Sequence, residues 1–449
     1  MVVTAIVDEG LGNSSYLVDL GDGGALVVDP ERDPRPYLGD LERRRLRARF
    51  VLETHLHADF VSGARELVAS GAELWAPSGS ALTHPHRPLN DGDEIAIGGL
   101  SLQVIATPGH TPEHLSYLLS DGQEQIGLFS GGTLMSGGVA RTDLLSSEQT
   151  EPLARAAYKS IRERLLTLPD DLAVYPTHGA GSFCSVGGEG SERTTTIGAE
   201  KRTNPLLVGD PDEQTFVDRL LAGYGSFPPY FLELREVNRQ GPTVRGTPLP
   251  ALPQLSVSQL DTAISNGAEV VDVRDVRSFA QGHIPGSLSN PWRNQFATWL
   301  AWLLVARETP IVFVADRSVD RQDLAWATLT VGFERIVGEL GGGVAAWTAA
   351  GRQVSTIPVV DSPDQHEHAI LDVRQESEHN AGHVPGAIHI ELGHLAEVAD
   401  QVPFGDVLVH CGHGERAMTA ASILTRAGRD NVTVFAGALQ ELGSMTTEP

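Results

Sequence analysis

Cysteine is nearly absent from this chain: 449 residues carry two, Cys184 and Cys411. Thiols so few and so far apart cannot build the disulfide framework of a small secreted domain, and they fit a reducing compartment that keeps a thiol for chemistry. Lysine is equally scarce, with Lys159 and Lys201 alone, so the positive charge is almost all arginine. Basic residues are outnumbered, 33 Lys and Arg against 58 Asp and Glu, for a net charge of −25. Such a field repels nucleic acid and anionic lipid, and neither is expected as a partner. No long apolar run is present: the most apolar stretch, Phe296 to Val314, is broken by Arg307, Glu308 and Pro310, so no membrane span is expected. Met1 to Asp8 shows no basic leader ahead of an apolar run, and a cytoplasmic location is expected.

What is present is ordinary globular composition, 41% apolar and 20% charged, which excludes a disordered, collagenous or coiled-coil chain. At about 150 residues per domain the length suggests roughly three domains. The last 200 residues contain a repeat. VVDVRDVRSFAQGHIPGSLSN from Val270 matches ILDVRQESEHNAGHVPGAIHI from Ile370, with Asp272/Asp372, Arg274/Arg374, His283/His383 and Gly286/Gly386 in register. Each copy continues with an apolar strand, Ile311 to Val314 or Val407 to His410, and then a helical stretch, the alternation of a parallel α/β sheet. The segment Leu206 to Pro253 holds a helical stretch, Phe216 to Leu221, an aromatic segment, Phe227 to Leu234, and two Pro/Gly breaks, with a boundary expected near Gly246.

The first 205 residues place histidines at strand ends. His55-Leu56-His57-Ala58-Asp59 follows the apolar strand Phe50 to Thr54, and alternate residues of an extended segment face the same way, so the two imidazoles can converge. A Pro-Gly turn presents His110 in Thr107 to Thr111, and His178 follows another apolar strand in Pro176 to Gly181. Three strand-end sites of this kind, two of them glycine-flanked, point to a metal. Thr83-His84-Pro85-His86-Arg87 reads instead as a solvated loop, and Cys184 as a small buried thiol.

This order of motifs resembles the metallo-β-lactamase superfamily, whose first motif is HxHxDH. TPGHTPEH at Thr107 to His114, the stretch ending in Arg141-Thr142-Asp143, and THGAGSFC at Thr177 to Cys184 are most similar to its persulfide dioxygenases. The resemblance implies an αβ/βα sandwich, one non-haem Fe(II), and oxidation of a thiol persulfide by O2 to sulfite. It carries the metal onto His55, His57 and His110, with Asp59 and His178 as further metal or pocket residues. Two positions depart from the family. Phe60 stands where HxHxDH has its last His, and Gly132 stands where the iron-binding or bridging Asp should follow the strand Ile126 to Phe129. A two-zinc thioester hydrolase of the glyoxalase II kind needs both lost ligands, which argues against that chemistry. Fe(II) is the first expectation for the cofactor and Zn(II) the second, and a weak or empty site is a third outcome.

The strand Val407 to His410 runs into Cys411-Gly412-His413-Gly414-Glu415-Arg416 and then a helix. Loop amides and the positive end of that helix aimed at a sulfur would stabilise a thiolate or an anionic persulfide. With Asp372-Val373-Arg374 and Gly382 to Ala387, this resembles a rhodanese sulfurtransferase domain. The resemblance makes Cys411 the sulfur carrier and Arg416 the anion-binding residue, while Asp372, Arg374 and His383 brace the fold. The first copy reads Ala315-Asp316-Arg317-Ser318-Val319-Asp320 instead, without a thiol, so a structural or docking role is expected, with Trp292, Trp299 and Trp302 as an apolar face.

The expected organisation is therefore α/β throughout: a metallo-β-lactamase-like domain over 1–205, an extension and linker over 206–250, an inactive rhodanese-like domain over 251–352 and an active one over 353–449. The expected activity is persulfide oxidation combined with sulfane-sulfur transfer, with low-molecular-weight thiol persulfide, O2, and sulfite or thiosulfate as small-molecule partners and a homo-oligomer as one possible assembly. The alternatives are a sulfurtransferase whose metal domain has lost oxidation through Gly132, and a thioester hydrolase.

Overall fold

Strand alternation in the first part of the chain resolves into two six-stranded sheets, seen in a computed structural model that describes residues 3–187, 192–362 and 369–442. Two compact units are present: residues up to Leu249, with which Leu329–Gly332 group, and the remainder from Pro250.

In the first unit, one sheet runs Val3–Asp8, Asn13–Asp19, Gly24–Val28, Arg47–Leu52, Glu73–Pro77, Arg87–Leu89 in spatial order. The other runs Thr195–Thr196, Ala173–Pro176, Glu124–Gly131, Leu115–Asp121, Leu100–Ala106, Glu94–Ile97. Inward residues of both sheets, among them Tyr16, Val28, Leu52, Trp75, Leu102, Tyr117 and Phe129, form the layer between them. Helices Arg35–Arg44 and Ala64–Ala69 pack Tyr37, Ala64 and Leu67 on one outer face, and a second cluster with Leu153, Ala157 and Phe216 covers the other. This is the αβ/βα sandwich, in which each sheet buries both faces.

Residues 206–249 contribute to that same unit. Helix Glu213–Ala222 starts where the Asp212 carboxylate accepts the Thr215 N–H at 2.8 Å, and it buries Phe216, Val217 and Leu220 on one stripe before Gly223 ends it. Helix Phe231–Gln240 follows and buries Phe231, Leu234 and Asn238.

The second unit holds two five-stranded parallel sheets of identical order. The first is Gln254–Leu255, Ile336–Leu340, Ile311–Val314, Glu269–Asp272, Leu288–Ser289; the second is Val359–Val360, Val432–Phe435, Val407–His410, Ala369–Asp372, Ile388–His389. In each copy a buried aspartate takes the arginine two residues on by two contacts, and that arginine also caps a glycine carbonyl. Asp272, Arg274 and Gly282 O do this in one copy and Asp372, Arg374 and Gly382 O in the other, with final bonds of 2.6 and 2.9 Å in both. The tryptophan-rich helix Phe296–Leu303 buries Trp299 and Trp302, and Trp302 lies against Gly393 of the second copy. The Ser289 N–H also donates to Ser422 Oγ at 3.1 Å across the two copies. Among the described residues, no helix is long and apolar enough to cross a membrane.

Candidate metal centre and sulfur-transfer loop

The strands Gly24–Val28, Arg47–Leu52, Leu100–Ala106, Glu124–Gly131 and Ala173–Pro176 are followed in turn by Asp29, His55 and His57, His110, Gly132, and His178. Their ring centroids gather within a few ångströms: His55 to His57 4.3 Å, His55 to His110 4.9 Å, His110 to His178 5.3 Å. All four rings are at most 2% exposed.

The proton on each ring can be assigned from its outer neighbour. Thr54 Oγ1 donates to the Asp29 carboxylate at 2.7 Å, so its contact with His55 Nδ1 at 2.8 Å makes that nitrogen the donor and leaves Nε2 a lone pair. His110 Nδ1–H donates to the Arg141 carbonyl at 2.6 Å, and its Nε2 is buried without a partner. His178 Nδ1–H donates to Asn13 Oδ1 at 3.0 Å, and its Nε2 faces His55 Nε2 at 3.3 Å. Three imidazole lone pairs thus converge with no proton between them, an arrangement that a cation satisfies and that a dry core does not. His57 adds a fourth donor: Nε2–H is held by Glu53 at 3.0 Å and Asp29 at 3.2 Å, leaving buried Nδ1 unpartnered. Burial disfavours charge on His57, but Asp29 and Glu53 outweigh it and hold its pKa up at about 10, so Nδ1 carries a proton that a bound cation would have to displace.

Asp59 supplies a carboxylate beside these rings. Asn13 Nδ2 donates to its Oδ2 at 2.7 Å, His178 Nδ1 lies 3.3 Å away, and Oδ1 is buried without a partner. Burial works to raise the Asp59 pKa, yet His178, His57 and Asn13 hold it at about 2, so it stays ionised. The possible ligand atoms of His55, His110 and His178, and separately those of His57, Asp59 and His178, lie within 4.8 Å of one another. The residues present therefore fit a divalent ion.

The two departures from the family have plain geometric consequences. Phe60 stacks on His57, with centroids 4.3 Å apart and planes at 25°, and fills the place of a further ligand. At Gly132 a Cβ would stand 2.9 Å from His110 Cδ2 and 2.9 Å from Ala140 Cβ, so the His110 ring occupies the room an aspartate would need.

Four contributors were not singled out from the sequence: Asp29, Glu53, His114 and Asn13. His114 lies in the quoted TPGHTPEH phrase. It stacks on His55 at 4.9 Å and accepts the Gly132 N–H on Nε2 at 3.0 Å, and burial drops its pKa to about 3. Asp29 is an acid at a strand end, a signal of the same kind as the histidines. The loop His55–Phe60 is clamped by the 206–250 segment: Asn238 Nδ2 donates to His57 O and Phe60 O, both at 2.8 Å, and Tyr230 O–H donates to Asp59 O at 3.2 Å. Arg141 is pinned between Asp143 at 2.6 Å and the Phe227 ring at 4.3 Å, which fixes the carbonyl that orients His110. Cys184 is fully buried, and desolvation pushes its thiol well up, while His84 and His86 are only partly buried.

In the second unit, Cys411 follows strand Val407–His410, and Gly414, in the left-handed region at φ 98°, caps helix Glu415–Arg426. The Gly414 N–H points at Cys411 Sγ at 3.1 Å. Gly412, His413 and Glu415 complete the loop. Arg416, expected to bind the anion, is held by Glu378 through two bonds of 2.5 and 2.8 Å.

The Rhodanese-like domain family matches residues 256–350 and 359–444, and the Metallo-beta-lactamase superfamily matches residues 69–178. The bovine protein named persulfide dioxygenase ETHE1, mitochondrial, is 30% identical over 201 residues, covering 43% of this chain and 72% of the relative. A hydroxyacylglutathione hydrolase of Methylobacillus flagellatus is 39% identical over 159 residues, 35% of this chain and 58% of the relative. The chain spans about three fifths of the length of several such hydrolases. A crystal structure of a metallo-beta-lactamase from Staphylococcus aureus superposes with a TM-score of 0.66 at 29% identity, covering 75% of this chain and 98% of that one.

Proposed function

The chain belongs to the persulfide dioxygenase branch of the metallo-β-lactamase superfamily, fused to two rhodanese-like domains, and from that premise we propose that it oxidises a low-molecular-weight thiol persulfide and transfers sulfane sulfur through Cys411 in the cytoplasm. The observation that carries the reading is the set of three proton-free imidazole lone pairs at His55, His110 and His178, with ionised Asp59 beside them. Asp59 takes over the anionic part that Gly132 cannot play. Phe60 on His57 favours one ion over two. Fe(II) bound by these side chains would supply the electrons and open positions needed to bring O2 to a sulfur, as imidazole and carboxylate ligation suits it.

The reaction balances as RSSH + O2 + H2O giving RSH, sulfite and two protons. The residues do three things for it. Asp29 and Glu53 hold His57 by its Nε2–H, the Arg141 carbonyl fixes the His110 ring, and burial of all four rings keeps bulk water from the reacting sulfur. In the second unit, the Gly414 amide and the N-terminus of the following helix stabilise the Cys411 thiolate and the persulfide formed on it. Carrying both activities on one chain raises the local concentration of the sulfite made by the first.

The hydrolase relatives support a second reading, metal-dependent thioester cleavage. Purified protein assayed for iron and zinc, for O2 uptake on glutathione persulfide and for thioester cleavage separates the two. Near-stoichiometric iron with persulfide-dependent O2 uptake is expected. Bound zinc with thioester cleavage and no O2 uptake overturns the oxidation, and an iron-free protein retaining Cys411-dependent transfer reduces the function to a sulfurtransferase.

A further inference from the structure

Every sulfur transfer to or from an oxyanion at Cys411 concentrates negative charge. In the forward step the Cys411 thiolate, its proton lost to solvent, bonds to the outer sulfur of thiosulfate. The S–S bond of thiosulfate breaks, sulfite leaves with the electron pair, and a Cys411 persulfide remains, with three negative charges on each side. The loop's own cation is already neutralised, because Arg416 is gripped by Glu378. Glu415 adds a further negative charge next to it.

A second guanidinium reaches this place from the cysteine-less copy. Arg293 follows Trp292 in the first repeat, and its Nη1 lies 4.0 Å from Glu415 Oε2 of the second. Its Nε is buried with no hydrogen-bond partner, and the side chain is only 26% exposed. A 4.0 Å ion pair is poor compensation for burying an arginine, whose planar fork is suited to two parallel bonds to an oxyanion. Burial holds the Arg293 pKa below the usual arginine range, with Arg416 adding to that, while Glu415 and a charged Cys411 work the other way. The matching position one repeat later is Gly393, which packs under Trp302, where a Cβ would meet the indole at 2.1 Å. The two copies have thus diverged at equivalent positions, one making room for a tryptophan and the other placing a cation at its neighbour's loop.

We propose that Arg293 is the oxyanion-binding residue of the Cys411 site, donated by the inactive repeat to hold the sulfonate end of thiosulfate or the sulfite that replaces it. This rests on the reading of Cys411 as a sulfur carrier. Loss of a charge-assisted contact of this type corresponds to a drop of about tenfold or more in affinity.

The test uses the full chain and the variants Arg293→Ala, Arg293→Lys and Cys411→Ser. In thiosulfate-to-cyanide transfer, Arg293→Ala is expected to raise KM for thiosulfate about tenfold or more, and Arg293→Lys to restore part of it. Cyanide attack on Cys411 persulfide preloaded with inorganic polysulfide, which has no sulfonate, is expected to stay within about twofold of wild type. An unchanged KM, or equal losses with both sulfur donors, overturns the proposal. Calorimetric titration with thiosulfate and with sulfite separates this from failure of the parent reading. If Cys411→Ser leaves transfer intact, Cys411 is not the carrier, and Arg293 stands only if its alanine variant still binds these ions about tenfold more weakly. Equal binding, or none to wild type, overturns it.

Discussion

The two rhodanese-like repeats share a sheet order and an Asp-Arg brace with the same bond lengths, and they differ in the polarity of one loop. In the second, an amide N–H points inward at a sulfur. In the first, the loop after Ile311–Val314 turns carbonyls inward on a cation: Arg321 Nη1 donates to Asp316 O at 2.7 Å and to Val319 O, while its Nε pairs with Glu339 at 2.7 Å. Donors facing in suit an anion and acceptors facing in suit an arginine. The scaffold tolerates either, so the fold decides where the loop sits and the loop sequence decides which charge it holds.

The largest effect that would sharpen this contrast is loss of the thiol. Cys411→Ser should reduce thiosulfate-to-cyanide transfer to background, with metal content unchanged; residual transfer above background would place the nucleophile elsewhere. Next comes the shared brace. Asp372→Ala strands a buried arginine and should destabilise the second unit by about 3–5 kcal/mol in denaturant titration, and Asp272→Ala, which strands a partly buried one, should cost somewhat less. A cost confined to one copy would mean that the braces are equal in geometry alone.

A smaller effect distinguishes the central strands. His410 ends its strand where the first copy has Val314, and burial lowers its pKa to about 4 from 6.5, against the pull of Asp372. The unfolded chain takes up a proton at a higher pH than the folded one, so this contribution is complete above 6.5 and lost as pH falls through 6.5 toward 4. Across that window wild type should lose up to ~3 kcal/mol more stability than His410→Asn, measured by unfolding at successive pH values. The smallest expected change is none: Ala315→Cys in a Cys411→Ser background should not restore transfer, because the loop's inward carbonyls oppose an anionic sulfur. Recovery of activity would break the comparison.

Much of this architecture is legible in the sequence because it is local. Each copy of the repeat, each strand-end histidine motif and the Cys411-to-helix transition is a short contiguous phrase, where strand alternation and turn residues dictate geometry. The outer supports are not local. Asp29 holds Thr54 and Thr177, Asn13 joins Asp59 to His178, and Glu378 captures Arg416 from 38 residues away. No period in the chain announces such pairs, since they exist only after sheets have stacked. The same reason hid Arg293, whose partner belongs to the other repeat.

The clamp that Tyr230 and Asn238 place on the loop His55–Phe60 bears on how the metal centre is made. All four imidazoles have left the ribosome once His178 emerges, but the helix that secures two of them is still unsynthesised, and Asn238 lies 60 residues further on. Until that segment is made, a chain that already holds every candidate ligand lacks the three hydrogen bonds that fix the loop carrying His57 and Asp59.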